Sequence, residues 1–262
     1  MSSNAEVRHH YGPRVHILDD AWLATALARL GSPDVPRLEL LALIRSVYHS
    51  LLVYAAGREL PTVGAEIPTR MREIHAGEGV FRGRVLDPDT QLVIVDIIRG
   101  GIVPAQICFE LIQAVLPEAN VRLDHLNMSR VVDEDGRVTG TDLTGSKVGG
   151  SVEGATLVIP DPMGATGSTV KRAVEHYLGE FGRPARILVL PMISTPEFLS
   201  AVLARFDDVI VYTARLDRGL SEPDVLATEP GTHWDRERGL DDHSYIVPGA
   251  GGIGEVINNS WC

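Results

Sequence analysis

The chain has 262 residues, 44% of them hydrophobic, enough for one large core or a core with a small accessory lobe. Its 24 Lys and Arg against 35 Asp and Glu give a formal charge of −11, which argues against a nucleic-acid surface but leaves room for a local basic pocket. Two cysteines, Cys108 and Cys262, make no disulfide framework and fit a reducing cytoplasm. No Cys/His spacing suggests structural zinc, no apolar run reaches membrane-spanning length, and the N-terminus lacks a signal pattern.

Residues 1–20 are polar and irregular around His9-His10-Tyr11-Gly12-Pro13 and read as a surface arm packing on a neighbouring subunit. Ala21–Leu30 is an amphipathic helix closed by Gly31-Ser-Pro33. Pro36–Ala56 is a second, with Leu38, Leu41, Ile44, Val47, Leu51 and Leu52 at helical spacing and Gly57 as its end. Pro and Gly recur through 58–90, predicting loops with short strands. Gln91–Ile98 is near-continuously apolar, as a strand covered on both faces is in a parallel sheet. Arg99-Gly100-Gly101 leads into a helix, Val103–Val115, with Pro104 in its first turn. Val121–Met128 is the next strand.

The stretch 131–153 is polar and Gly-rich, too long for an ordinary connection, and predicts a flexible hairpin arm acting as a flap. Thr156–Pro160 (strand), Val170–Phe181 (helix), Ala185–Leu190 (strand), Thr195–Arg205 (helix) and Val209–Thr213 (strand) then alternate at short spacing. That alternation implies an α/β fold with a doubly wound parallel sheet. Residues 216–244 are polar, and the chain closes on Tyr245-Ile246-Val-Pro248-Gly-Ala-Gly251-Gly252-Ile253-Gly254.

Three segments follow predicted strand ends, where open α/β sheets bind ligands: Arg99-Gly-Gly101, 161–169 and Asp217–Leu220. In Asp161-Pro162-Met163-Gly164-Ala165-Thr166-Gly167-Ser168-Thr169 a carboxylate at a strand end precedes a small-residue loop and a helix start. Amides at such a start point at a phosphate, and the acid can grip sugar hydroxyls or an ion they carry. The loop fits neither G-x-G-x-x-G nor the Gly-Lys-Ser/Thr ending of a P-loop.

On these motifs the chain resembles the type I phosphoribosyltransferases, and among them the uracil phosphoribosyltransferases. Asp161–Thr169 is similar to their phosphoribosyl-diphosphate (PRPP) loop, with Pro162 as the marker of the uracil branch. Ile98-Arg-Gly-Gly-Ile102 resembles the Leu-Arg-Ala-Gly-Leu element that receives the diphosphate. Asn127-Met-Ser-Arg130 stands in the place of a Met-Tyr-Arg element. Val211–Leu220 matches the strand and turn before the base-binding hood, and Tyr245–Gly249 matches the hood. The resemblance covers roughly residues 38–258. Two departures fall beside the expected base site. The usual Pro-Gly-Leu-Gly-Asp-Ala-Gly-Asp reads here Pro248–Glu255, with Gly252 in place of the first acid, and an acidic insertion, Glu222–Asp242, precedes the hood.

The resemblance implies a single domain: an arm at 1–35, a flap at 131–153, and a hood at 214–262 with its insertion at 222–242. It implies PRPP-dependent transfer to uracil or a uracil-like base, giving a nucleoside monophosphate and diphosphate. Ala165–Thr169 would anchor the 5-phosphate and Asp161 the ribose hydroxyls. Arg99, Gly100, Gly101 and Arg130 would take the diphosphate, making Asp161 and Arg130 the catalytic pair. Tyr245, Ile246, Gly251, Gly252 and Ile253 would hold the base. Magnesium would arrive on PRPP, with no dedicated protein ligands. The partners implied are PRPP and a nucleobase, without nucleic acid or membrane, in a cytoplasmic homodimer or larger homo-oligomer. A different acceptor on the same fold, or a PRPP- or nucleotide-sensing regulator, are the alternatives. Simpler roles are a helix cap for Asp161, a surface ion pair for Arg99, a solvated Lys147, a core Cys108, and packing for Trp22, Trp234 and Trp261.

Overall fold

The computed structural model describes residues 5–132 and 138–259, apart from the side chains of residues 130–132, 138 and 139. It opens with β1 (Val15–Ile17), α1 (Ala21–Leu30) and α2 (Arg37–Glu59), followed by a hairpin of β2 (Thr62–Pro68) and β3 (Val80–Leu86). Then come β4 (Leu92–Ile98), α3 (Ile102–Gln113), β5 (Val121–Val132), β6 (Val138–Lys147), β7 (Thr156–Gly164) and α4 (Ser168–Glu180). The chain ends with β8 (Arg186–Ser194), α5 (Pro196–Leu203), β9 (Val209–Thr213), β10 (Arg215–Leu216), α6 (Pro223–Leu226) and α7 (Ile253–Asn258).

The main sheet runs β1-β9-β8-β7-β4-β5-β6, with β10 added beside β8. Every pairing is parallel except β5 with β6. Helices cover both faces because the central strands are apolar on both. Along β4, Leu92 and Ile94 join the core under α1, α2 and α3, while Val93, Val95 and Ile97 join the core under α4 and α5. The doubly wound sheet expected from the alternation is therefore the fold observed.

Several features differ from the sequence reading. Residues 15–17 of the arm are an edge strand on β9, and Tyr11, Val15 and Ile17 are buried in this chain's own core rather than left for a neighbouring subunit. Helix α2 runs through Gly57 to Glu59, whose carboxylate holds Arg186 at 2.9 Å and the Tyr212 hydroxyl at 2.7 Å. Those tertiary contacts outweigh the cost of a glycine in the last turn. At 23 residues α2 is also long and apolar enough to span a membrane by length and composition, against the initial reading. Its Leu40, Ile44, Val47, Tyr48, Leu51 and Leu52 are core residues. Finally, β7 continues past Pro160, because Asp161, Met163 and Gly164 keep their register with β8. Asp161 thus lies inside β7, which ends at Gly164.

The 131–153 segment divides into the end of β5, strand β6 and a return loop; residues 133–137 lie outside those described. The 222–242 insertion contains α6 and a helical turn at Trp234–Arg236. It packs on the arm and on α5: His10 N–H donates to the Pro230 carbonyl at 2.8 Å, and the Trp234 indole donates to the Pro196 carbonyl at 3.0 Å.

Candidate active site

The carboxyl ends of β4, β5 and β7 open into a cavity of about 670 Å³. Its floor is Ile97–Gly101, Asn127–Ser129 and Asp161–Met163. One wall is Ala165–Val170, the other Ser244–Ile246 with Gly251–Glu255. This is the crevice where a parallel sheet presents ligands to helix starts and strand-end side chains.

The first wall is built by backbone geometry. The Asp161 carboxylate accepts the Met163 N–H at 3.1 Å, a local bond within the last residues of β7. Gly167 then adopts φ +76°, and a Cβ there would meet Val202 Cγ2 at 3.1 Å, so glycine suits both the conformation and the packing on α5. Helix α4 starts at once; its cap residue Gly167 has no side chain to bond the first turn, and the Ser168 N–H reaches the Thr166 hydroxyl only at 3.4 Å. Its leading amides are therefore available to an anion. The Thr166 and Ser168 hydroxyls lie 3.0 Å apart, and Thr141 of β6 donates to the Ser168 hydroxyl at 3.1 Å, so the hairpin arm reaches this wall. Asp161 is not a cap for α4, whose cap position is Gly167. Beneath it, burial and then the Asp161 charge push the Tyr48 phenol well above its ordinary value.

The floor loop is packed as tightly. The Gly101 N–H donates to the Ile97 carbonyl at 2.9 Å, and a Cβ on Gly101 would meet Ile97 backbone atoms at 2.7 and 2.8 Å. The Ile98–Arg99 peptide is cis. Arg99 lines the cavity, with its guanidinium 4.0 Å from the Glu255 carboxylate. Below the loop Asp96 is buried, bonded to His125 Nδ1 at 2.8 Å. Burial pushes its carboxyl up, and the His125 hydrogen bond and charge oppose this.

The opposite wall hangs on the turn after β9. Buried Asp217 holds Arg215 at 2.6 and 2.7 Å and accepts the Gly249 N–H at 2.8 Å, while Arg215 donates to the Gly249 carbonyl at 3.0 Å. Glu197 of α5 accepts the Gly239 and Leu240 amides at 2.9 and 3.3 Å, and Leu240 bridges to Ile246. Ile246 is 5% exposed and Tyr245 48% exposed. The Asp217–Leu220 turn, expected as a third ligand loop, does not line the cavity. Its role is to clamp the wall, because the carboxylate of Asp217 is spent on Arg215 and Gly249.

Of the residues singled out from sequence, Arg99, Gly100, Gly101, Asp161–Met163, Ala165–Thr169, Tyr245, Ile246 and Gly251–Ile253 converge on this cavity. Gly164 does not. A Cβ there would meet Pro191 Cβ at 3.0 Å and Phe198 Cγ at 3.2 Å, so it faces the core. Arg130 sits on β5 opposite Thr141, and its side chain lies outside those described. Lys147 pairs opposite His125, away from the lining. Sequence reasoning missed Thr141, Phe198, Ser244 and Glu255 as lining residues. Thr141 comes from an antiparallel strand with no local motif. Glu255 was legible as the acid ending the hood pattern.

The family model for uracil phosphoribosyltransferase matches residues 17–236. A uracil phosphoribosyltransferase of Rhodococcus opacus is 28% identical over 243 residues, covering 93% of this chain and 97% of that protein. One of Burkholderia thailandensis is 28% identical over 249 residues, covering 94% of each. Among solved structures, the AQ2163 protein of Aquifex aeolicus has the same fold, with a TM-score of 0.69 at 22% identity over 93% of this chain and 97% of that one.

Proposed function

The chain belongs to the uracil phosphoribosyltransferase family and is a phosphoribosyltransferase, and from that premise we propose that it joins uracil or a uracil-like base to PRPP. The observation that carries this reading is one cavity with a floor and two walls of different chemistry. A helix start capped by a glycine suits a phosphate, a carboxylate near the end of β7 suits ribose hydroxyls, and an Arg-Gly-Gly turn faces a backbone-rich wall that suits a planar base.

In this reading the amides and hydroxyls of Ala165–Thr169 hold the 5-phosphate, and Asp161 orients the ribose. Arg99, the Gly100 and Gly101 amides and Arg130 receive the diphosphate. An acceptor nitrogen forms a bond to C1 as the C1–oxygen bond breaks, and the diphosphate leaves with that electron pair while the acceptor's N–H proton passes to water. The centre is cationic in between, so positioning and charge placement supply most of the rate. Magnesium carried on PRPP would neutralise diphosphate charge. The lining carboxylates are hard oxygen donors of the right chemistry, and no cluster of three or more metal-ligating side chains occurs among the described residues. The reading extends to a cytoplasmic homodimer or larger homo-oligomer.

The test is diphosphate release from PRPP and Mg2+ with a panel of bases. Turnover with uracil supports the proposal. Turnover only with another acceptor replaces uracil, and PRPP binding with no turnover on any base favours a sensor.

A further inference from the structure

Glu255 and Gly252 occupy one space between them. Gly252 has φ −75°, a conformation open to any residue, so the backbone does not demand glycine. What a side chain there would meet is Glu255: the added Cβ would fall 2.5 Å from Oε2 and 3.2 Å from Cδ. The Glu255 carboxylate is folded back over Gly252, into the volume a side chain at 252 would fill.

That volume lies at the junction of the two halves of the cavity. Glu255 stands in the first turn of α7 and lines the cavity, and Asp161 is the other acidic residue among the described lining. A Cβ on the neighbouring Gly254 would come within 3.6 Å of Gly100 Cα, so this wall is seated directly on the Arg-Gly-Gly floor. The carboxylate is 30% exposed and 4.0 Å from the Arg99 guanidinium. A diphosphate on Arg99 would repel the carboxylate from the floor and leave it to the wall of Gly251–Ile253. There an ionised carboxylate can only accept hydrogen bonds.

We propose that Glu255, in the space Gly252 leaves open, is the acceptor-selecting acid of this cavity: it receives an N–H of the base and discriminates against acceptors that present a carbonyl at that edge. This rests on the reading of the cavity as a phosphoribosyl-transfer site. Gly252 and Glu255 then form an exchangeable pair, in which a carboxylate reaches the same volume from either position.

The experiment compares Glu255→Gln, Gly252→Asp and the double variant Gly252→Asp/Glu255→Gly. Steady-state diphosphate release gives KM and kcat for the acceptor that the wild type uses, and calorimetry gives PRPP affinity. Each single variant is expected to raise acceptor KM about 10–100-fold, Glu255→Gln by losing one charge-assisted hydrogen bond and Gly252→Asp by displacing the Glu255 carboxylate, with PRPP affinity within about 3-fold of wild type. The double variant is expected to recover most of that loss. Unchanged acceptor KM in Glu255→Gln overturns the proposal and leaves phosphoribosyl transfer standing. Gly252→Asp without loss, or a double variant no better than the singles while still binding PRPP, overturns the exchange. A wild type that releases no diphosphate with any base overturns the transfer reading, and this inference with it.

Discussion

The carboxylate of Asp217 accepts the amide N–H of Gly249 at 2.8 Å while both its oxygens hold Arg215. One buried acid therefore ties the turn after β9 to the wall that ends in Tyr245, Ile246 and Gly251–Ile253. Replacing it strips the wall of its anchor without touching Ala165–Thr169. Asp217→Ala should raise acceptor KM at least about 10-fold and leave PRPP affinity near wild type. Stability should fall by about 1–3 kcal/mol, the cost of unsatisfied buried groups, as measured by urea unfolding.

Asp161 tests the other side of the cavity. Its carboxylate accepts the Met163 N–H, and Asp161 lines the cavity where ribose would lie. Asp161→Asn keeps an oxygen for that bond but removes the charge. Diphosphate release should drop about 100-fold or more, on the scale of losing one preorganised electrostatic contact, with the melting temperature little changed. Near-normal turnover would remove Asp161 from the chemistry.

Glu237 shows how the insertion is fixed. It is 1% exposed, takes Arg218 and the Gly231 amide at 2.8 Å each, and accepts the Tyr11 hydroxyl. Glu237→Ala leaves the Arg218 guanidinium largely buried and without this partner. It should cost about 3–5 kcal/mol, the usual result of breaking a buried pair from one side. Limited proteolysis should then cut residues 5–14 sooner than in the wild type, since Tyr11 loses its hold on the insertion.

Glu6 gives a pH dependence. Burial pushes its carboxyl up, but hydrogen bonds from Tyr54 and His16, with the charges of His16 and Arg58, outweigh it and hold the group below 4.5. The folded state therefore binds this proton less readily than the unfolded one. The resulting stability is fully present above 4.5 and is lost as pH falls through the lower folded value. Glu6→Gln should destabilise the protein at pH 7 and become indistinguishable from wild type in strongly acidic buffer, by thermal melts across that range.

Much of this protein is written locally. The both-faces apolar run before Arg99, the strand–acid–small-residue order around Asp161 and the strand-helix alternation after Thr156 depend on neighbours within a few residues, so periodicity and turn chemistry reveal them. The small-residue loop after Asp161 and the Arg-Gly-Gly turn are legible for the same reason. Edge strand β1 is not: Val15–Ile17 is a strand because β9 offers it a free edge. Gly57 is helical because Glu59 finds Arg186 and Tyr212. Asp217 looked like a ligand residue and proves to be a clamp, because Gly249 lies 32 positions away in sequence and in contact in space. Likewise, the sequence marks Gly252 only as a missing acid, whereas the folded chain brings the Glu255 carboxylate into that very volume. Composition and pattern thus determined the central parallel strands, the helices packed on them and the loops at their ends. Which acid stands over Gly252, and what holds that wall, depends on contacts between residues that only the tertiary structure makes neighbours.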